Sequence, residues 1–240
     1  TVFVFPGTYA ENIVVNKDYI SLIGAVFAGY ARPDVTPATI YPLVVNGQGF
    51  MCKRMRFAGV LYDCVAQHGN GFLYDDCVFD GDGSGGTAGL RLVPSNTNTH
   101  LTASEGIVVG CLFRGCATGL IFDSAAPPVG GGATDNVSAG NRFYSNTEDI
   151  ATFKGGAAGT YSVQLVNIIG NYFADKNKAV YIDITTNADG PAASQTGSIE
   201  GNYFAADAIT AGAQVKMVGT GFTFVGNLNT VGVKDGSGLD

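Results

Sequence analysis

The densest group of carboxylates in the chain lies between positions 75 and 82. It comprises Asp75, Asp76, Asp80 and Asp82, and His68 lies a few residues upstream. Because glycoside hydrolysis needs two carboxyl groups that face each other across about 5 to 9.5 Å, this group is the first candidate for catalysis. Asp76 also occupies a position that Gly takes in later copies of an internal repeat, which favours a role in shaping a turn. Both interpretations stay open, and the sequence favours the structural one.

Two of these carboxylates also suggest a metal site. The segment from Asp80 to Ser84 (Asp-Gly-Asp-Gly-Ser) is similar to the start of a calcium loop with oxygen ligands, but the downstream bidentate acid is missing. We therefore expect no resident cofactor, and calcium at Asp80 and Asp82 is the alternative. A Cys64–His68 nucleophile is not favoured, because side chains four residues apart do not meet along a strand.

Exposed aromatic side chains are the candidates for ligand binding. Tyr144, Tyr172 and Tyr203 each lie next to a repeated Phe, and Tyr172 and Tyr203 occupy the same repeat position. We expect these two to form an outward ladder, whose rings could stack on sugars. The alternative is that the ladder packs against a loop or a neighbouring subunit.

An internal repeat of about 30 residues positions these groups. Each copy ends a four-residue block with Phe, and successive Phe residues are 34, 30, 30 and 31 residues apart. The repeated residues are Phe79, Phe113, Phe143, Phe173 and Phe204. Self-similarity at this period predicts a solenoid, in which each unit stacks its apolar face on the next.

Each repeat contains three short apolar runs separated by Gly, Asn, Asp and Ser. In one copy the runs are 163–169, 172–174 and 179–184, too short for helices and rich in β-branched and aromatic residues. This pattern predicts an all-β parallel β-helix with three strands per rung, forming one domain over 1–240. We expect 27–42 to be a Pro-rich loop excursion and 231–240 an irregular tail. The alternative, an antiparallel sandwich, predicts no fixed period.

The repeated positions have distinct expected roles. The Phe side chains should point inward and stack between rungs. Asn141, Asn171 and Asn202 should lie at a corner, where Asn tolerates a left-handed backbone and its amide can bond to neighbouring rungs. Cys77 and Cys111 take the place of Asn at that corner, as small residues that accept burial.

Composition limits the classes of partner. The formal charge of −7 over 240 residues argues against nucleic acid or an anionic membrane as partners. No apolar run reaches the roughly 18 to 20 residues of a membrane span. The cysteines number five, an odd count without Cys-x2-Cys spacing, which favours reduced, buried thiols over a disulfide framework. A Cys111–Cys116 disulfide is the alternative.

The first 25 residues carry a resemblance to a known family. A strand, then Pro6-Gly7-Thr8-Tyr9-Ala10-Glu11, then a second strand and a Leu-Ile-Gly turn resemble the opening rung of the pectin-lyase-like superfamily. The resemblance implies a right-handed parallel β-helix and, for an enzyme, action on polysaccharides. The catalytic signatures of that superfamily are absent or fragmentary here, and Asp75-Asp76 is the only dipeptide match to its polygalacturonase-like members.

The low charge, the 35 Gly residues and the missing signatures are similar to those of bacteriophage virion β-helices such as tailspikes, fibres and capsid decorations. This resemblance implies a homotrimeric structural or adhesive protein that is made in the host cytoplasm and located in the virion with other virion proteins. We expect loops at 80–87, 94–104, 124–135 and 188–196. The later ones would lie between the second and third strands of successive rungs, and polysaccharide would bind through them. The alternatives are a polysaccharide lyase or glycoside hydrolase, and a secreted adhesin.

Overall fold

The computed structural model describes most of the chain and consists there of β-strands joined by turns. The described residues are 1–26, 31–37, 40–59, 61–81, 88–93, 103–123, 133–152, 165–174, 180–184, 196–205, 215–217 and 221–229. The predicted irregular tail at 231–240 lies outside them, as does Asp82.

The strands form three parallel sheets. Sheet A contains β1 (Val2–Val4), β4 (Ser21–Gly24), β7 (Met51–Lys53), β10 (Leu73–Asp75), β13 (Ile107–Val109), β16 (Val137–Ala139), β19 (Val166–Ile169), β22 (Thr196–Glu200) and β25 (Gly221–Val225). Sheet B contains β2 (Thr8–Tyr9), β5 (Asp34–Val35), β8 (Arg56–Gly59), β11 (Val78–Gly81), β14 (Leu112–Arg114), β17 (Arg142–Tyr144), β20 (Tyr172–Ala174), β23 (Tyr203–Ala205) and β26 (Leu228–Asn229). Sheet C contains β3 (Ile13–Val15), β6 (Leu43–Val45), β9 (Val65–Gln67), β12 (Ala88–Leu92), β15 (Thr118–Phe122), β18 (Glu148–Thr152), β21 (Val180–Ile184) and β24 (Val215–Met217).

The chain visits sheets A, B and C in turn, and each strand pairs with the equivalent strand one rung away. In sheet B, for example, Phe79 pairs in register with Phe113, and Phe113 with Phe143. This topology is a right-handed parallel β-helix with three strands per rung, as the repeat predicted.

The repeated Phe side chains form a continuous stack in the core. The ring centroids of Phe79, Phe113, Phe143, Phe173 and Phe204 follow one another at 4.6, 4.8, 5.0 and 4.9 Å, with nearly parallel planes. All five side chains are fully buried. The stack arises because Phe is the second residue of its strand and points inward, while the residues on either side of it point outward.

The corner between sheets A and B differs from the prediction in one respect. The left-handed residue is the Gly that precedes Asn, as at Gly140 (φ 61°) and Gly170 (φ 61°), so the prediction that Asn itself takes this conformation is wrong. Arg54 and Asp76 fill the Gly position in earlier rungs, also with positive φ. The Asn amides do join the rungs, since Asn141 Nδ2 donates to Val108 O and its Oδ1 accepts from the nitrogen of Cys111.

Asn residues also occupy the other two corners of one rung. Asn136 Oδ1 accepts from the nitrogen of Gly106, and Asn146 Oδ1 accepts from the nitrogen of Cys116. Together with Asn141, these residues recur every five positions and mark all three corners. Each amide therefore satisfies main-chain groups that the corner removes from the strand ladders.

Two of the predicted loop regions differ from the structure. The range 27–42 contains strand β5, which pairs with β2 and β8, so part of this range belongs to sheet B. The ranges 94–104, 124–135 and 188–196 follow strands of sheet C and precede strands of sheet A. The prediction that the later loops lie between the second and third strands is therefore wrong for these three.

All five cysteines are buried and free. Cys52 and Cys77 have their sulfur atoms 3.8 Å apart, and the thiols of Cys77 and Cys111 contact main-chain carbonyl groups. The expected buried, reduced thiols are present, and Cys111 and Cys116 are not joined. Among the described residues, no helix is long and apolar enough to span a bilayer.

Candidate functional site

The outer face of sheet B carries most of the candidate residues. We call it the sheet B face and define it as the outward side chains on either side of the Phe stack. One column of this face runs through Arg56, Val78, Leu112, Arg142 and Tyr172, and the other includes Asp80, Arg114 and Tyr144. The strand register therefore places charged groups along the earlier rungs and aromatic groups along the later ones.

The charged part is a ladder of alternating signs. Arg56 donates through Nη1 to Asp34 and through Nε and Nη2 to Asp80 Oδ2, at 3.0 and 2.6 Å. Arg114 Nη2 donates to the same Asp80 oxygen at 2.6 Å. The Asp80 side chain is 11% exposed, so its charge is largely removed from water and is compensated by two guanidinium groups.

This arrangement sets the protonation of Asp80. Burial alone would raise the pKa of its carboxyl, but the hydrogen bonds from Arg114 and Arg56 outweigh burial and hold the pKa below its ordinary value. The pKa of Arg114 is raised in return, chiefly by the hydrogen bond to Asp80. Asp80 is therefore held as a carboxylate. A general acid must carry a proton before it reacts, so Asp80 is not in the protonation state of a general acid.

The other candidate carboxylates are also paired. Lys53 Nζ lies 3.0 Å from Asp75 Oδ2, and Arg32 Nη2 donates to Asp76 Oδ1 at 2.6 Å. Asp75 ends a strand of sheet A, Asp76 forms the corner, and Asp80 lies on sheet B. The three carboxylates thus engage different cations. The predicted role of Asp76 in shaping a turn is present in its backbone, which forms the corner with a φ of 53°, while its carboxylate binds Arg32 instead of capping the turn.

A small open pocket lies at the beginning of the charged ladder. Its volume is about 280 Å³, and its walls include Thr8, Arg32, Asp34 and Arg56. Both guanidinium groups and the Asp34 carboxylate border it, so the pocket offers donors and an acceptor within one concave site. This chemistry suits a polar ligand with several hydroxyl groups.

The aromatic part of the sheet B face is open. The rings of Tyr172 and Tyr203 stack with centroids 5.3 Å apart and planes 10° apart. The guanidinium carbon of Arg142 lies 5.9 Å from the centroid of Tyr172. Tyr172 is 38% exposed and Tyr144 is 52% exposed, so a ligand can reach both rings. The predicted outward ladder of Tyr172 and Tyr203 is present, and Arg142 extends it by one rung.

No group of three or more His, Cys, Asp or Glu side chains that could hold a metal lies within the described ranges. Asp80, one of the two proposed calcium ligands, has its Oδ2 engaged by two arginines, and Asp82 lies outside the described residues. His68 is partly buried, and burial chiefly lowers its pKa, so it is neutral at pH 7.

The basic half of this surface was not predicted from the sequence. Asp80 and Arg114 directly follow a Phe of the stack and Arg142 directly precedes one. Arg56 directly precedes Phe57, whose ring centroid lies 6.2 Å from that of Phe79. Aligning the repeat copies on Phe and inspecting the flanking positions would have found these residues, because they all point outward on one sheet. Arg32 has no such signal, since it comes from an irregular segment before β5.

Comparisons with known proteins give no family assignment: no protein-family model and no curated protein sequence matches the chain.

Proposed function

We propose that this chain is a structural and adhesive β-helix of a virus particle, such as a phage tailspike, fibre or capsid decoration, and that it binds polysaccharide along the sheet B face. The observation that carries the binding proposal is the open stack of Tyr172 and Tyr203 beneath Arg142. The resemblance of the opening rung to the pectin-lyase-like superfamily supports a polysaccharide as the ligand. The virion-like composition supports a place in a virus particle.

The geometry of the face suits an extended glycan. Neighbouring rungs repeat at about 4.8 Å, which is comparable with the length of one sugar residue in a chain. Tyrosine rings present flat apolar surfaces to the C–H faces of sugars, and guanidinium groups donate paired hydrogen bonds to carboxylates. A glycan that runs along the solenoid would therefore meet tyrosines and arginines in successive rungs.

The exposed Arg142 favours an acidic glycan. Arg56 and Arg114 are already compensated by Asp34 and Asp80, whereas Arg142 contacts a neutral ring and is exposed. An incoming carboxylate would gain an ion pair with Arg142 without displacing a protein carboxylate. The ligand class is thus a polysaccharide that contains uronic acid or similar sugars.

The test is biolayer interferometry against immobilised polygalacturonate, an acidic polysaccharide, and neutral dextran. We expect stronger binding to polygalacturonate than to dextran. Tyr172→Ala and Arg142→Gln should each weaken binding to polygalacturonate about tenfold, because each variant loses about 1–2 kcal/mol of stacking or cation contacts. Tyr19→Ala is the matched control, because Tyr19 is 80% exposed on another part of the first rungs. Equal binding by all variants would show that the sheet B face is not the surface that binds the polysaccharide.

The competing function is a polysaccharide lyase or hydrolase, and the same samples distinguish it. An enzyme would shorten polygalacturonate and lose that activity in Asp76→Ala or Asp80→Ala. The adhesive proposal predicts unchanged polymer length with wild-type protein. Placement in a particle is tested separately by immunogold labelling of purified virions with antibodies against the chain.

A further inference from the structure

Two hydrogen-bonding atoms at the first rungs of sheet B are buried without partners. The Nη1 atom of Arg32 and the Oδ1 atom of Asp34 make no hydrogen bond within the described part of the chain. Both residues line the open pocket of about 280 Å³ at the beginning of the charged ladder. Because a buried donor or acceptor without a partner costs free energy, a ligand that supplies the missing acceptor and donor would be stabilised in this pocket.

The other ends of these two side chains are held in place. Arg32 Nη2 donates to Asp76 Oδ1 at 2.6 Å, and Arg56 Nη1 donates to Asp34 Oδ2. The main-chain nitrogen of Asp34 also donates to the carbonyl oxygen of Gly7 at 2.9 Å. The pocket is therefore preformed, and a ligand that enters it has few protein groups to order.

The charges around the pocket compensate one another. Arg32 is paired with Asp76, and Arg56 is paired with Asp34 and Asp80. An anionic ligand would meet the carboxylate of Asp34, and a cationic ligand would meet the two guanidinium groups. The pocket therefore favours a neutral ligand that both donates and accepts hydrogen bonds, and hydroxyl groups do both.

We propose that this pocket binds one neutral hexose unit through two neighbouring hydroxyl groups, one accepting from Arg32 Nη1 and the other donating to Asp34 Oδ1. Neighbouring hydroxyl groups on a pyranose ring present an acceptor and a donor side by side. The volume of about 280 Å³ lies just below the range of pockets for drug-sized ligands, so it suits a single sugar ring. The lining residues Gly7, Thr8 and Ala31 are small and leave room for that ring.

This inference deepens the proposed function and rests on it for the choice of a sugar as the ligand. Thr8, Asp34 and Arg56 pair in register and begin the column of the sheet B face that continues to Arg142 and Tyr172. Four strand spacings of about 4.8 Å separate Asp34 from Arg142, or about 19 Å. One extended glycan can therefore place a neutral hexose in the pocket and an acidic sugar at Arg142.

The test is saturation-transfer difference NMR of the whole chain with the methyl α-glycosides of glucose, galactose and mannose. We expect at least one of these neutral hexosides to bind with a dissociation constant of about 1–10 mM, as suits a ligand of this size. The methyl glycoside of galacturonic acid carries a carboxylate in place of the hydroxymethyl group of galactose. It should bind at least about tenfold more weakly than the best neutral hexoside, because its charge opposes that of Asp34.

Two variants change the pocket in different ways. Asp34→Ala removes the acceptor, whereas Ala31→Leu fills the pocket and keeps the ion pairs. Each should weaken hexoside binding at least about tenfold. Ala139→Leu is the matched control, because Ala139 lies in β16 of sheet A, away from the pocket, and it should leave hexoside binding unchanged. Circular dichroism checks that each variant keeps its β-structure.

The inference is overturned if none of the three neutral hexosides binds the wild-type protein, or if either folded pocket variant binds them as tightly as the wild type. Tighter binding of the methyl galacturonoside than of every neutral hexoside would also overturn it, because the pocket would then select an anion.

The biolayer interferometry assay separates this inference from the proposed function. Wild-type protein that binds polygalacturonate but no neutral hexoside would retain the proposed function and lose the hexose pocket. Wild-type protein that binds a neutral hexoside, with the expected loss in both pocket variants, but not polygalacturonate would retain the pocket and lose the acidic glycan.

Discussion

The Oδ1 atom of Asn171 lies 2.9 Å from the main-chain nitrogen of Asn141 in the preceding rung and accepts its hydrogen bond. The Nδ2 atom of Asn171 donates to the carbonyl oxygen of Ser138 at 2.9 Å. One buried side chain thus satisfies two main-chain groups that the corner leaves without a strand partner. The same pair of bonds recurs at Asn141 and Asn202, which makes the corner a ladder of amides along the solenoid.

Replacing Asn171 with Ala should destabilise the protein by about 2–4 kcal/mol, because it leaves a buried N–H and a buried carbonyl group without partners. The measurement is the urea midpoint followed by circular dichroism. The matched control is Asn167→Ala in the same rung: Asn167 points outward and accepts a hydrogen bond from Ser198 Oγ at 2.9 Å. That change should cost about 0.5 kcal/mol or less. Equal losses in the two variants would contradict the role assigned to the corner.

Phe143 lies between Phe113 and Phe173, with ring centroids at 4.8 and 5.0 Å, and is fully buried. Phe143→Ala should therefore cost about 3–5 kcal/mol, from lost burial and a cavity between two rungs. The adjacent Tyr144→Ala is the control, because Tyr144 points outward and is 52% exposed. A scanning calorimetry midpoint that falls as much in Tyr144→Ala as in Phe143→Ala would show that the stack is not the main source of stability.

The sequence predicted the stack and the Asn ladder because both repeat at a fixed period, and a period is visible without a structure. The ion ladder was not predicted, because the contact between Arg56 and Asp80 depends on strand register. Arg56 precedes Phe57 whereas Asp80 follows Phe79, so the two charged side chains meet diagonally across β8 and β11.

The loop positions were predicted wrongly for a related reason. The strands of sheet C, such as β12 and β15, are apolar like those of the other sheets, but Gly-Asn does not precede them. Their boundaries therefore could not be located from the repeat, and the segments after them were assigned to the wrong side of the rung. The pairing of Asp76 with Arg32 was equally hidden, because 44 residues separate the two and Arg32 lies outside the repeat.

Arg54 adopts a left-handed conformation (φ 56°) at the corner position that Gly fills in later rungs. The left-handed conformation costs a residue with a Cβ atom roughly 1–2 kcal/mol. Gly avoids this strain but loses more chain entropy on folding, so the replacement regains only part of that energy. Arg54→Gly should therefore stabilise the protein by about 0.5–1 kcal/mol in urea unfolding. The neighbouring Lys53→Gly should instead destabilise by about 1 kcal/mol, because Lys53 lies in β7 and pairs with Asp75. The same sign for both changes would contradict this account.

Asp80 should make the stability of the protein depend on pH in acid. Because Arg114 and Arg56 hold the pKa of Asp80 below its ordinary value, the folded state keeps the carboxylate at pH values where the unfolded chain binds a proton. The stabilisation is complete above the unfolded pKa, near 3.9, and is lost as the pH falls through the lower folded pKa.

Asp80→Asn should therefore cost about 2 kcal/mol at pH 7, where it leaves two guanidinium groups without their shared partner. The cost should shrink progressively below about pH 4, where the unfolded wild-type chain takes up a proton at Asp80, and should be smallest once the folded carboxylate is protonated as well. Urea midpoints of both proteins measured from pH 7 to pH 2 give this difference directly. Glu11→Gln, on the exposed first rung, controls for the loss of one negative charge. A difference between wild type and Asp80→Asn that stays constant down to pH 2 would mean that the ion ladder does not set the protonation of Asp80.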